Sequence, residues 1–189
     1  MKKIGMLVLV FLAGCAYIDQ NLRVSPQLTV LEANIGQDKK VALRVVDDRS
    51  EQLIGRRAGG YGYGMAKITT DQDLAEILRN AFIKGLRKKG FEPVEMNDPG
   101  VSLRVELRSL AYDTSMGFWT GGNIGNAAIK IIASQPSGKT YEKTYRGQRE
   151  VQTVFIGSQE TNTDVVNGAL SDVLGNVFSD RELLDFLTQ

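Results

Sequence analysis

The sequence predicts a two-layer α+β domain: a largely antiparallel mixed sheet with helices packed on one face. Three observations carry this. Several short segments alternate apolar and polar residues at period two. Two longer segments carry apolar stripes at helical spacing. The later strand segments are separated by short turn-forming stretches, which makes hairpins of them. The 189 residues, 42% hydrophobic and 24% charged, fit one globular domain of this kind.

The first residues are a separate unit. Lys2 and Lys3 precede an apolar run of nine residues, Ile4 to Leu12. A membrane-spanning helix takes about 20 residues, so this run is too short to span. It has the length of a signal-peptide core. Leu12-Ala13-Gly14-Cys15 follows, and Cys15 is the only cysteine of the chain. The pattern resembles the lipobox of bacterial lipoproteins. The resemblance implies a diacylglycerol thioether on Cys15, cleavage before it and acylation of the new amine, with palmitate as the expected label. Each buried CH₂ contributes about 0.8 kcal/mol, so three acyl chains hold permanently where one holds marginally. Ala16 follows the cysteine. In lipoproteins of enteric type an aspartate there resembles an inner-membrane retention signal. Alanine implies the inner leaflet of the outer membrane, with the domain facing the periplasm; the inner membrane is the alternative. The expected organisation is therefore a signal peptide over 1–14, a lipidated N-terminus and tether over 15–38, and a globular domain over 39–189. Pro26 breaks any helix in the tether, and Leu28 and Val30 admit a short strand.

Lys40 to Asp47 alternates as a strand and runs into Asp47-Asp48-Arg49. The Gly/Tyr-rich stretch 55–64 lacks the Lys-Ser/Thr of a phosphate-binding loop and reads as a hairpin tip before a strand over 65–69. Thr70 to Asp73 has capping-box spacing. Leu74, Ile77, Leu78, Ala81 and Phe82 then form one helical stripe. Lys84, Arg87, Lys88 and Lys89 crowd its last turns, where the helix dipole favours cations, and Gly90 suits the residue after the cap. A short strand follows over 91–95. Ser102 to Arg108 alternates cleanly, with Leu103, Val105 and Leu107 on one face. Residues 113–122 read as a polar loop carrying Phe118 and the lone Trp119. Strands over 126–134 and 140–151 flank Gln135-Pro136-Ser137-Gly138, a hairpin turn too exposed to lower the pKa of Lys139 for Ser/Lys chemistry. Val166, Leu170, Val173, Leu174 and Val177 mark a C-terminal helix. Ser179 to Glu182 has capping-box spacing before a short last helix.

The absence of histidine excludes His bases, His metal ligands and Ser-His triads; the single cysteine excludes a disulfide, a Cys-rich zinc site and a CxxC motif. With 23 Lys+Arg against 22 Asp+Glu, no charge field argues for nucleic acid. No cofactor and no metal site is expected.

The whole arrangement resembles the YajG-family lipoproteins. The residues that carry it are the lipobox to Cys15, Val24-Ser25-Pro26, and the strand ending at Asp48-Arg49. Leu53-Ile54-Gly55-Arg56, Ala66-Lys67-Ile68, and Asp73-Leu74 through Lys89-Gly90-Phe91 continue the match. The Pro-Ser-Gly hairpin and the terminal amphipathic helix close it. The resemblance implies a bacterial envelope lipoprotein and supplies no catalytic residues. Three readings of function follow. A non-enzymatic binding or scaffold module would meet an envelope protein or glycan, with Phe118 and Trp119 as the contact. A small carrier would enclose an apolar ligand or lipid between sheet and helices. A hydrolase acting on peptidoglycan would need paired acids, for which Asp47, Asp48 and Glu106 are the candidates.

Overall fold

The longest strand organises the sheet. The computed structural model of the chain describes residues 18–58, 64–95, 100–116, 121–153 and 157–189. Among these, one sheet contains β1 (Gln20–Asn21), β2 (Lys40–Asp47), β3 (Gly55–Ala58), β4 (Gly64–Thr69), β5 (Glu92–Val94), β6 (Val101–Met116), β7 (Gly121–Ser134) and β8 (Thr140–Thr153). One edge of β6 pairs along its length with β7, and β7 with β8, all antiparallel. The other edge is shared end to end. β2 lies parallel to its first half, from Val41↔Val101 to Asp47↔Leu107, and β3 lies parallel at Gly55↔Tyr112. β5 pairs parallel with β2, β4 antiparallel with β3, and β1 parallel with β4.

The clean alternation at Leu103, Val105 and Leu107 stops at Arg108 for a structural reason. The register against β7 passes from Leu107↔Ile129 to Ser109↔Ala128, a bulge that places Arg108 and Ser109 together on the outer side. The buried set then resumes at Leu110 and Tyr112. The expected loop over 113–122 is therefore corrected: Asp113 to Met116 and Gly121-Gly122 are strand. With the inner faces of β7 and β8, this surface carries Ile129, Ile131, Ala133, Tyr141 and Tyr145 toward the helices. The outer face is wet, with Arg104, Arg108 and Arg146 exposed and Lys130 paired to Glu142 at 2.6 Å.

Helix α1 (Leu74–Lys88) covers β2 and β5; α2 (Gln159–Ser179) covers β7 and β8; α3 (Arg181–Leu187) follows. The α1 stripe faces the core as its spacing predicts, with Leu74, Leu78, Phe82 and Leu86 buried and Arg79 exposed. Its cap is Asp73, whose carboxylate accepts from Glu76 N at 3.1 Å. Thr70 instead accepts from Gln72 N through its hydroxyl. At the other end Gly90 has φ +81°. Gly90 N donates to Arg87 O and Phe91 N to Leu86 O, closing a Schellman motif with Leu86 and Phe91 both buried. The two helices meet where the Phe178 ring lies over Gly85, 5.3 Å from the Phe82 ring centroid.

Residues 20–36 replace the expected tether. They form an extended strap bonded to both helices. Leu22 N donates to Thr69 O and Val24 N to Gln72 Oε1; Ser25 N and Gln27 N donate to Asn167 Oδ1 and Ser171 Oγ on α2. Ala33 N and Gly36 N then take Lys88 O and Lys89 O at the end of α1. Leu22 and Val24 are buried in the core, and Leu28 and Val30 pack against it. The strap from Gln20 to Gly36 thus packs on the domain that the sequence predicts to start at residue 39.

Candidate functional site

The three acids named for hydrolysis do not pair across a cleft. Asp47 ends β2 and accepts from Arg49 Nε and Nη2, both at 2.8 Å. Asp48 pairs with Arg108. Glu106, nearly buried on the outer face of β6, accepts from Arg104 Nε at 2.7 Å and lies 3.3 Å from Arg108 Nη1. Each carboxylate faces a guanidinium, and Asp48 and Glu106 share that of Arg108. The basic turn at the end of α1 serves the helix: Lys89 is its cap, and the strap amides occupy the Lys88 and Lys89 carbonyls.

A denser polar cluster sits where α2 turns into α3, and sequence spacing placed its cap one residue early. Asp180, not Ser179, caps α3, with Oδ1 accepting from Glu182 N and Leu183 N. Its Oδ2 accepts from Lys143 Nζ at 2.6 Å, Tyr145 OH at 2.7 Å and Tyr141 OH at 3.1 Å. Burial alone would raise this carboxyl, but the bonds from Lys143 and Tyr145, the Leu183 amide and Tyr141 outweigh it and hold the pKa at about 2. Tyr145 is pushed up by burial and by its bonds to Tyr141 and Asp180. Tyr141 is pushed up, first by burial. With Oδ1 on two helix amides and Oδ2 on three side-chain donors, the carboxylate is the hub of the cluster. It fastens α3 to β8. Because the folded pKa lies below the ordinary 3.8, its stabilisation is present above pH about 4 and is lost as pH falls toward 2. Asp180→Asn should therefore be less stable at pH 7, and its melting temperature should fall less than wild type between pH 5 and pH 2. Parallel acid profiles for the two proteins would contradict this role.

A second polar group ties one end of the sheet together. Tyr112 OH donates to Asn123 Oδ1 at 2.7 Å; Asn123 Nδ2 donates to Thr153 Oγ1 at 2.9 Å. Burial raises the Tyr112 pKa to about 12 against the lowering field of Arg57. Arg57 is itself buried and donates to Gly157 O at 3.2 Å. Asn162, wholly buried in the first turn of α2, donates to Gln20 Oε1 at 2.7 Å. These bonds join β1, β3, β6, β7, β8 and the start of α2. The sequence held no local signal for them, because the partners lie as far as 142 residues apart.

Cys15, Phe118 and Trp119 lie outside the described residues. Their neighbours do not: Asp19 accepts from Lys67 N at 2.7 Å through Oδ1, and Met116 pairs with Gly121.

With the fold in place, residues 26–188 match the family described as Uncharacterized lipoprotein, Lipoprotein_16. The chain belongs to that family, that of the YajG lipoproteins. It is 26% identical over 185 residues to the uncharacterized lipoprotein YajG of Escherichia coli strain K12, covering 97% of this chain and 94% of the relative. The YajG of E. coli O6:H1 matches to the same extent. Among solved structures, a minor lipoprotein from Acinetobacter baumannii shares the fold, with TM-score 0.50, 14% identity, and coverage of 78% of this chain and 94% of that one. The family match begins at Pro26, inside the strap, which agrees with the strap being part of the folded unit.

Proposed function

We propose that this protein is a bacterial envelope lipoprotein held by acyl chains on Cys15, whose domain binds or scaffolds rather than catalyses. The observation that carries the non-enzymatic reading is the engagement of every nominated carboxylate by a guanidinium, in a chain without histidine. The lipobox and the lipoprotein family support the anchor. Among the described residues no helix is long and apolar enough to cross a membrane. Ala16 supports the inner leaflet of the outer membrane, with the domain in the periplasm. Phe118 and Trp119 are the contact residues of this reading. A carrier role would need room for an acyl chain between sheet and helices. The backbone of α2 rests directly on Gly125 and Gly147, which speaks against it over β7 and β8.

Cys15→Ser tests the anchor. It removes the only thiol of the chain. The variant should lose palmitate labelling and move from the membrane to the soluble fraction. A variant still bound to membranes after carbonate washing would refute the acylated cysteine as the attachment.

A further inference from the structure

One edge of the sheet is long and unpaired. Among the described strands β8 pairs with β7 alone, so its other edge ends the sheet over 14 residues. The hairpin fixes which backbone groups point outward there. Gln135 N donates to Lys139 O, and the register runs unbroken from Ser134↔Thr140 to Gly121↔Thr153. Bonded and non-bonded pairs alternate along an antiparallel ladder. Odd-numbered residues of β8 therefore bond to β7, and the amides and carbonyls of Thr144, Arg146, Gln148 and Glu150 point away from the sheet. Arg146 bears this out, since its carbonyl accepts from Asn176 Nδ2 on α2 at 2.9 Å. Among the described residues no other bond reaches this outward backbone.

Such an edge is a template for another strand, and sheets commonly guard theirs with proline, a bulge or a covering segment. β8 has no proline, and its ladder with β7 has no bulge. The strap and α2 wall a groove beside Arg146–Gln148, lined by Gln27, Thr29, Asp172 and Asn176, and leave the edge itself open.

The side chains along the edge suit a second copy of this chain. Thr144, Arg146, Gln148, Glu150 and Gln152 are all exposed. Arg146 and Glu150 have no ion-pair partner among the described residues, whereas Glu142 is held by Lys130. A twofold axis pairs two edge strands antiparallel. An axis at Gln148 sets Arg146 of each copy opposite Glu150 of the other, and opposite charges across a strand pair attract. An axis at Arg146 or at Glu150 sets like charges opposite each other. An axis at Thr144 calls on Glu142, which Lys130 already occupies. On the helix face the Gln148 axis sets Arg149 of one copy opposite Gly147 of the other, beside the groove wall that carries Asp172.

We propose that β8 is the interface of a homodimer, in which the β8 edges of two copies pair antiparallel about Gln148 and the two sheets become one. The outward amides and carbonyls bond across the axis. The Arg146 carbonyl keeps Asn176 on one lone pair and takes the amide of Glu150 on the other. The contact uses the same patch twice, so it closes at two copies and leaves neither β8 edge open.

The test uses the full chain carrying Cys15→Ser, in which an introduced cysteine is the only thiol. Hydrogen-bonded antiparallel pairs stand about 5.5 Å apart at Cα, within reach of a disulfide. Gln148→Cys should link into a dimer on mild oxidation, and Ser137→Cys on the hairpin should not. Thr144→Cys and Gln152→Cys should each fail alone and link when mixed. Arg146→Glu should abolish the Gln148→Cys link, and adding Glu150→Arg should restore it, with thermal melts showing that both variants fold. Linking of Gln148→Cys no faster than that of Ser137→Cys overturns the dimer and leaves the edge to an extended peptide of another protein. Linking unaffected by Arg146→Glu, or Thr144→Cys linking to itself in place of Gln148→Cys, overturns the pairing about Gln148.

Discussion

Phe82→Ala should destabilise the domain by about 3–5 kcal/mol, the range for truncating a buried phenylalanine. Phe82 is fully buried, and its ring lies 5.3 Å from that of Phe178 at an interplanar angle of 51°. The pair joins α1 to α2. Truncation therefore opens a void between α1 and α2. A domain of this size has about 5–15 kcal/mol in total, so the loss would be a large share of it. Arg79→Ala, on the exposed face of the same helix, should stay within about 0.5 kcal/mol. Urea unfolding of both in the Cys15→Ser background reads the difference. Equal midpoint shifts would mean that α1 does not bury the Phe82 face.

That contrast was legible from spacing alone, because α1 is amphipathic over its whole length and its neighbours in the core need not be known. Other features were legible only in part. The Gln135–Lys139 turn shows in sequence because proline and glycine occupy positions whose backbone angles they favour, and Gly138 has φ +84°. β6 was readable to Arg108 and no further. A bulge shifts the phase of alternation, and a period-two pattern cannot be followed across a shift that has no residue signature of its own. The strap reads as a tether because, after β1, its backbone amides bond to side chains of Gln72 and α2 and to single carbonyls, with no ladder and hence no periodicity. Helix caps were misplaced by one to three residues, since Thr70 and Ser179 fit the spacing as well as Asp73 and Asp180 do. Only the local geometry decides which oxygen reaches the free amides.

The site was legible as parts and not as a place. Cys15 stands out in the sequence, and Phe118-Trp119 stands out in its loop. The pairings of β1 with β4 and of β3 with β6 carry no local signal either, because parallel pairing joins segments far apart in the chain. The same holds for the acids. Asp47, Asp48 and Glu106 are candidates because all three are associated with strands, and the ion pairs show that each faces a guanidinium: Asp47 that of Arg49, Asp48 that of Arg108, and Glu106 those of Arg104 and Arg108.

Gly125→Ala and Gly147→Ala should each destabilise by about 1–3 kcal/mol or more, the cost of forcing atoms into a filled interface. A methyl at Gly125 would overlap the carbonyl oxygen of Val165. One at Gly147 would overlap that of Ala169 and stand 2.6 Å from Val173 N. These are backbone atoms of α2, so no side chain can rotate away and the helix itself must lift. Lifting it loosens Val165, Val166, Ala169, Leu170, Val173 and Leu174, all buried against the sheet. Because one displacement relieves both overlaps, the double variant should cost less than the sum of the singles. Gly175→Ala, at a position of the same helix with open space around it, should instead stabilise by about 0.5–1 kcal/mol through helix propensity. Thermal melts of the four variants decide the matter. Wild-type stability in Gly125→Ala and Gly147→Ala would mean that α2 rides above the sheet with a gap beneath it, and would restore an apolar-ligand carrier as a reading of this domain. The expected losses would leave the function to the surfaces of the domain.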